Sequence, residues 1–174
     1  MSGSAAPSIP RPCGSCSLCC KVMEISAVDK PAGVWCRHFD KAARCGIYAT
    51  RPNACRQYQC AWTLEQRFDE AWRPDIARFV MNVKPGELAI VADPSQPSAW
   101  RREPYGPRLL ALAARHRRPF TLVLLFVGPR VSVVFPEGEI ALGPNRPDAA
   151  IDSGYDAAGV PYARFVAPDA PPPS

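Results

Sequence analysis

Eight cysteines fall between residues 13 and 60 in the spacing C-x2-C-x2-C-C-x15-C-x8-C-x9-C-x4-C, and the remaining 114 residues contain none. They are Cys13, Cys16, Cys19, Cys20, Cys36, Cys45, Cys55 and Cys60. Two residues between cysteines let both sulfurs converge on one metal while backbone N–H groups turn toward the thiolates, as in zinc and iron–sulfur knuckles. A disulfide framework is the competing use of such a pattern, but it suits oxidising compartments. The opening MSGSAAPSIPRP has no apolar run after a basic start, so it does not read as a secretory signal. No stretch of the sequence is long and apolar enough to span a bilayer. The expectation is a cytoplasmic protein with no membrane partner, whose cysteines bind metal.

Charge points the same way. Residues 1–60 carry eight Lys/Arg against three Asp/Glu, which accounts for the whole net charge of +5; the rest of the chain is neutral. Eight thiolates around two divalent ions would carry a net −4, so the basic excess reads as an offset to thiolate charge. This argues against a nucleic-acid partner, for which a basic stripe would be the signal. The four-residue run RHRR (115–118) reads as a solvated helix end rather than a phosphate site.

CxxCxxC matches the first three ligands of a bacterial ferredoxin cluster, but the x3-C-P that should follow is absent. Adjacent Cys19 and Cys20 fit two different sites or a polynuclear centre. Four thiolates suit zinc and iron–sulfur clusters alike, so the cofactor is zinc or iron, with an iron–sulfur cluster as one form of the latter. His38, two residues after Cys36, is a replacement ligand in reserve; its simpler reading is an exposed or supporting histidine. His116 lies far from the cluster and reads as bland. Arg51 and Arg56 flank Cys55 and have the donors to bond thiolates; solvated helix arginines are the equal alternative. Trp35, Tyr48, Tyr58 and Trp62 are expected to pack around the site and exclude water.

The segments CGSCSLCCKVMEI, KPAGVWCRHF and CGIYATRPNACRQYQCAW, with the hairpin pattern after them, resemble the CxxCxxCC cysteine-cluster family, the YkgJ-type zinc- or iron-chelating domains. The resemblance spans roughly residues 13–95 and includes all eight cysteines. It implies that all eight are metal ligands. Some members are called iron–sulfur proteins, and some are associated with flagellin lysine methylation. No glycine-rich cofactor loop follows a strand here, so that activity is not carried over.

Hydrophobic patterning divides the chain further. Residues 1–12 read as a disordered arm, and 13–70 as a metal-stabilised cysteine-rich N-terminal module containing a helix over 52–68, capped by Thr50 or Asn53. On that helix Cys55 and Cys60 would stand about 140° apart. Residues 71–143 read as a small α+β body: a hairpin over 78–93 turning at Pro85-Gly86, a helix over 105–117, and strands over 120–142. Residues 144–174, with seven prolines, read as a proline-rich tail, although Tyr155, Tyr162 and Phe165 would allow part of it to dock. The fold class is α+β, with a small antiparallel sheet and two main helices. No paired carboxylates, Gly-x-Ser-x-Gly elbow or phosphate loop is present, so the reading leans away from an enzyme. The function expected is metal binding that is structural or serves contact with another protein. The alternatives are an iron–sulfur electron-transfer accessory protein and a metal-dependent enzyme acting on protein substrates.

Overall fold

A computed structural model describes residues 11–115 and 122–167. His116 and most of the basic run 115–118 lie outside them. The chain is mixed α+β, with three sheets and five helices among the described residues. In the cysteine segment the elements are short: α1 (Cys19–Val22), β1 (Phe39–Asp40) paired with β2 (Arg44–Cys45), α2 (Asn53–Gln57) and α3 (Ala61–Leu64). After α4 (Pro74–Ala77) come β3 (Phe79–Lys84), β4 (Glu87–Ala92), α5 (Tyr105–Arg115), β5 (Leu122–Val127), β6 (Arg130–Phe135), β7 (Gly138–Pro144), β8 (Ala150–Tyr155) and β9 (Pro161–Val166).

The hairpin at Pro85-Gly86, the helix from 105 and the three strands after it lie where periodicity puts them. The sheet they build, β3-β4-β5-β6-β7, is not purely antiparallel, because β4 and β5 run parallel. The reason is the helix between them. A crossover through α5 brings the chain back to the end where β4 began, and only then does β5 start. Cross-strand partners Asn82↔Ala89, Ala89↔Leu124 and Leu124↔Val133 form one row on one face. Part of that face, at Ala89, Leu124, Val131, Val133 and Phe135, packs under β8 and β9.

That pair of strands corrects the reading of 144–174 as a tail. Ile151, Tyr155, Ala163 and Phe165 pack onto the sheet, with Tyr155 edge-on to Phe135 at 5.5 Å between centroids. The turn is made by Asp156, whose Oδ1 accepts from the N–H groups of Ala158 and Val160, and by Gly159 at φ +79°. Pro144 and Pro161 stand at strand ends, where a missing N–H costs least. Residues 168–174 are outside the described residues.

The expected helix over 52–68 is two short helices rather than one. Tyr58 and Cys60 between them are extended (ψ 126° and 163°), and the N-cap position of α2 is Pro52, with no side-chain cap. The break lets the Tyr58 hydroxyl donate to Asn82 Oδ1 at 2.6 Å and turns Cys60 inward, where it is buried. Thr63 Oγ1 then donates to the Cys60 carbonyl at 2.8 Å and secures the start of α3.

The cysteine segment and the sheet share one apolar cluster. Leu18, Val22, Cys60, Ala61 and Trp62 belong with Phe79, Val80, Ile90, Trp100 and Leu109. Docking is close at Gly33, at φ +81°, where a Cβ would meet Pro94 Cγ at 2.8 Å and the Gly128 backbone at 3.1 Å. No side chain fits there. Among the described residues no helix is long and apolar enough to cross a membrane.

Candidate metal centre

All eight cysteines carry free thiols, with Cys60 buried, Cys13 exposed and the other six half-buried. Three features relate them to one another. The first is backbone geometry within the motif. The Cys16 N–H donates to the Cys13 carbonyl at 3.0 Å, and the Cys20 N–H donates to the Ser17 carbonyl at 3.0 Å, so CxxCxxCC folds as two consecutive tight turns leading into α1. The second is a set of tethers from distant residues. The Cys36 N–H donates to the Cys20 carbonyl at 2.9 Å, the Phe39 N–H to the Cys36 carbonyl at 2.9 Å, and Phe39 is paired with Cys45.

The third is electrostatic. Burial raises the Cys13 thiol, and the neighbouring thiol charges of Cys60 and Cys20 add to it, while Arg51 opposes them. Cys16 is pushed up to about 11, chiefly by burial, with Asp75 and Cys60 nearby. The neighbouring Cys19 and Cys20 thiols act on each other so that the Cys19 thiol is raised and that of Cys20 lowered to about 7; Lys30 and Arg51 also favour the Cys20 thiolate. Burial raises Cys55, and the charges of Cys20, Cys36 and Cys45 raise it further. The thiol charges thus act on one another across the segment, with Cys20 felt at both Cys13 and Cys55.

Free thiols are the donors that a soft metal takes. As the side chains stand, no group of three or more His, Cys, Asp or Glu among the described residues is close enough to hold an ion. Backbone bonds tie Cys36 to Cys20 and bring Cys45 beside them, while the sulfurs do not converge.

The supporting residues differ from the sequence reading in instructive ways. Arg56 does not face the thiols. Its Nε donates to the Arg51 carbonyl at 2.7 Å and its Nη2 to the Ala49 carbonyl at 2.9 Å, which folds the loop before α2 back onto the helix. Arg51 lies over the Tyr48 ring at 4.0 Å, yet its charge reaches Cys13, Cys20 and Cys55. Trp62 is buried and Tyr58 half-buried, both in or against the apolar cluster that contains Cys60. Trp35 and Tyr48 are 41% and 65% exposed and do not exclude water on their side. Trp35 instead stacks on Phe39 at 4.0 Å. His38 accepts from Arg37 Nε at 3.3 Å.

Three contributors were invisible in the sequence. Lys30 is buried, and its ammonium donates to the carbonyls of Lys21, Met23 and Pro31. Burial lowers its pKa, while the charges of Cys36, Cys20 and Cys19 act to keep it charged. Lys21 reaches Asp93 Oδ1 at 2.6 Å, and Arg78 bonds the other oxygen, so a fully buried carboxylate pins α1 to the end of β4. Arg11, expected in a disordered arm, is held by the fold: its N–H donates to the Thr63 carbonyl, its Nη2 donates to the carbonyls of Glu65 and Phe68 at 2.7 Å each, and it lies over Trp62. A lysine in a DKPAG turn, an aspartate after a strand and an arginine beside a proline carry no local signal for such roles.

Compared with known proteins, the chain matches no protein-family model, no curated protein and no solved structure.

Proposed function

We propose that this chain is a metal-binding protein that holds zinc or iron through Cys13, Cys16, Cys19, Cys20, Cys36, Cys45, Cys55 and Cys60. The centre orders residues 13–60 as a metal-stabilised module against the sheet, and its role is structural or serves contact with another protein. The observation that carries this reading is eight free thiols within 48 residues of sequence, with backbone bonds tying Cys16 to Cys13 and Cys36 to Cys20, and Cys45 paired beside them. The motif resemblance to the CxxCxxCC family supports the same ligand set. Eight reduced thiols suit a cytoplasmic setting. When bound, the metal would neutralise thiolate charge and cross-link segments that bury few apolar side chains. Lys30 and Arg51 would offset the remaining negative charge. A second reading, iron–sulfur electron transfer, is favoured by the exposure of Cys13, beside which a redox centre would be reachable from the surface.

The reading has a pH signature. Cys13, Cys16, Cys19 and Cys55 have raised pKa values, so these thiols hold their protons at neutral pH and metal must displace them. Zinc affinity, measured by competition with a chromophoric chelator, is expected to rise steeply from pH 6 to pH 8, with more than one proton released per ion. An affinity independent of pH over that range would contradict thiolate ligation.

A further inference from the structure

We propose that the hairpin formed by residues 34–48 is a docking surface for an acidic segment of a partner protein. It rests on the protein-contact part of the reading above and needs no bound metal.

The hairpin is held by its own bonds. Phe39–Asp40 (β1) pairs with Arg44–Cys45 (β2), and the Gly46 N–H donates to the His38 carbonyl at 2.8 Å. Asp40 Oδ1 accepts from the N–H groups of Ala42 and Ala43 at 2.7 Å each, which closes the turn. Asp40 is also the one acidic residue between 33 and 56, a stretch that carries five Lys/Arg. Of these, Arg37, Lys41 and Arg44 are exposed, and none makes an ion pair among the described residues. The cations that act most on the thiols are instead Lys30 and Arg51. Offsetting thiolate charge therefore does not account for the three on the hairpin.

The same hairpin leaves Val34, Trp35 and Tyr48 exposed. Phe39 stacks on Trp35 at 4.0 Å, and Arg51 lies over Tyr48 at 4.0 Å, so both rings are already held in place. A ring fixed before binding loses little freedom when a partner covers it. Tryptophan, tyrosine and arginine are the residues most enriched where protein interfaces gain their affinity. Unpaired cations beside such anchors call for carboxylates on the other side. The apolar anchors call for a protein segment rather than a bare polyanion.

Arg44 adds a backbone observation. It stands at φ +65°, in the left-handed region that favours glycine over a residue with a long side chain. Its side chain makes no bond among the described residues that would offset this strain. A docking contact supplies a use for an arginine at such a position.

The test is full-length protein labelled with nitrogen-15 and titrated with a short synthetic peptide that alternates Asp/Glu with Leu/Phe. A glutamate oligomer and a uridine oligonucleotide of equal length serve as comparisons. Amides of residues 34–48 are expected to shift with the peptide, while those of β4 and β5 stay in place. The peptide should bind about tenfold more tightly than either comparison. Arg44→Gly should weaken peptide binding by about fivefold or more, with Tm unchanged or higher, because glycine relieves the strain. Tyr48→Ser, which removes an exposed ring, should weaken it by a similar factor. No peptide binding, shifts confined to other residues, or binding that survives both substitutions would overturn the proposal. So would equal binding of the glutamate oligomer, which would mean attraction of charge alone. Tighter binding of the uridine oligonucleotide at the same amides would assign the hairpin to single-stranded RNA and overturn the protein partner. Metal content, measured on the same sample, separates the two readings. A metal-loaded chain that ignores the peptide overturns this surface alone, and a metal-free chain that binds it at the hairpin upholds the surface without the metal.

Discussion

Removal of metal from the purified protein by a strong chelator is expected to unfold residues 13–60 while the five-stranded sheet stays folded. The reason is how little else holds that segment. Between residues 13 and 60 the buried apolar side chains are Leu18, Val22 and Cys60, and the longest regular element is the five-residue α2. Ordering a residue costs about 1–2 kcal/mol of backbone entropy, and three buried side chains are too few to offset that along the segment. A structural zinc site contributes about 10 kcal/mol or more. The sheet has its own resources, with Ile90, Val123, Leu125, Trp72, Trp100 and Leu109 buried on or against it. Hydrogen exchange separates the two regions. Amides tied across the cysteine segment, such as the Cys36 N–H to the Cys20 carbonyl, should lose about 100-fold or more of their protection, which is the signature of sub-global opening. Amides of β4 and β5 should keep theirs. Unchanged protection in both regions after metal removal would show that the thiols do not hold the segment.

Asp93→Asn is expected to be the most damaging change outside the cysteines. The carboxylate is fully buried and accepts from Lys21, Arg78, the Ser95 N–H at 2.9 Å and the Ser95 hydroxyl at 2.7 Å. Asparagine keeps the shape but leaves two cations facing a neutral amide. Breaking one side of a buried ion pair costs about 3–5 kcal/mol. For a chain of this size that is a fall in Tm of about 10 °C. Burial alone would raise the pKa of Asp93, but the bonds from Lys21 and Ser95 and the charge of Arg78 outweigh it and hold the group below its ordinary 3.8. A depressed folded pKa means the stabilisation is present above pH 3.8 and is lost as pH falls through the folded value. The variant should therefore lose less stability on acidification than the unaltered protein. A Tm within 2 °C of the unaltered protein, with the same acid dependence, would contradict this role.

The positions of the sheet strands were legible because they rest on short-range patterns. The apolar runs in FVMNVK and ELAIVA and the Pro85-Gly86 turn between them each operate within a few residues. The parallel pairing of β4 and β5 was missed because a sheet's pairing depends on the path of the connecting helix, not on the strands' own residues. The single helix over 52–68 failed at Tyr58 and Cys60 for the same reason. Nothing local forbids helix there, but Tyr58 finds Asn82 and Cys60 finds the core only if the helix breaks. The β8–β9 hairpin was obscured by counting prolines rather than placing them. Pro144 and Pro161 sit at strand ends, and DAAG between the two strands is a turn with an aspartate acceptor and a glycine at positive φ. Lys30, Asp93 and Arg11 act on residues distant in sequence or on carbonyls, and a sequence pattern does not reveal such partners.

The central claim is that these thiols are ligands, and elemental analysis of protein purified anaerobically, with acid-labile sulfide and an absorption spectrum on the same sample, tests it most directly. Colourless protein with about two zinc ions per chain would fit two closed four-thiolate sites. Brown protein with iron and sulfide, absorbing near roughly 400 nm, would fit the iron–sulfur form. Either result upholds the account. Protein that is metal-free as purified, folded across residues 13–60 and reactive at all eight thiols would contradict it.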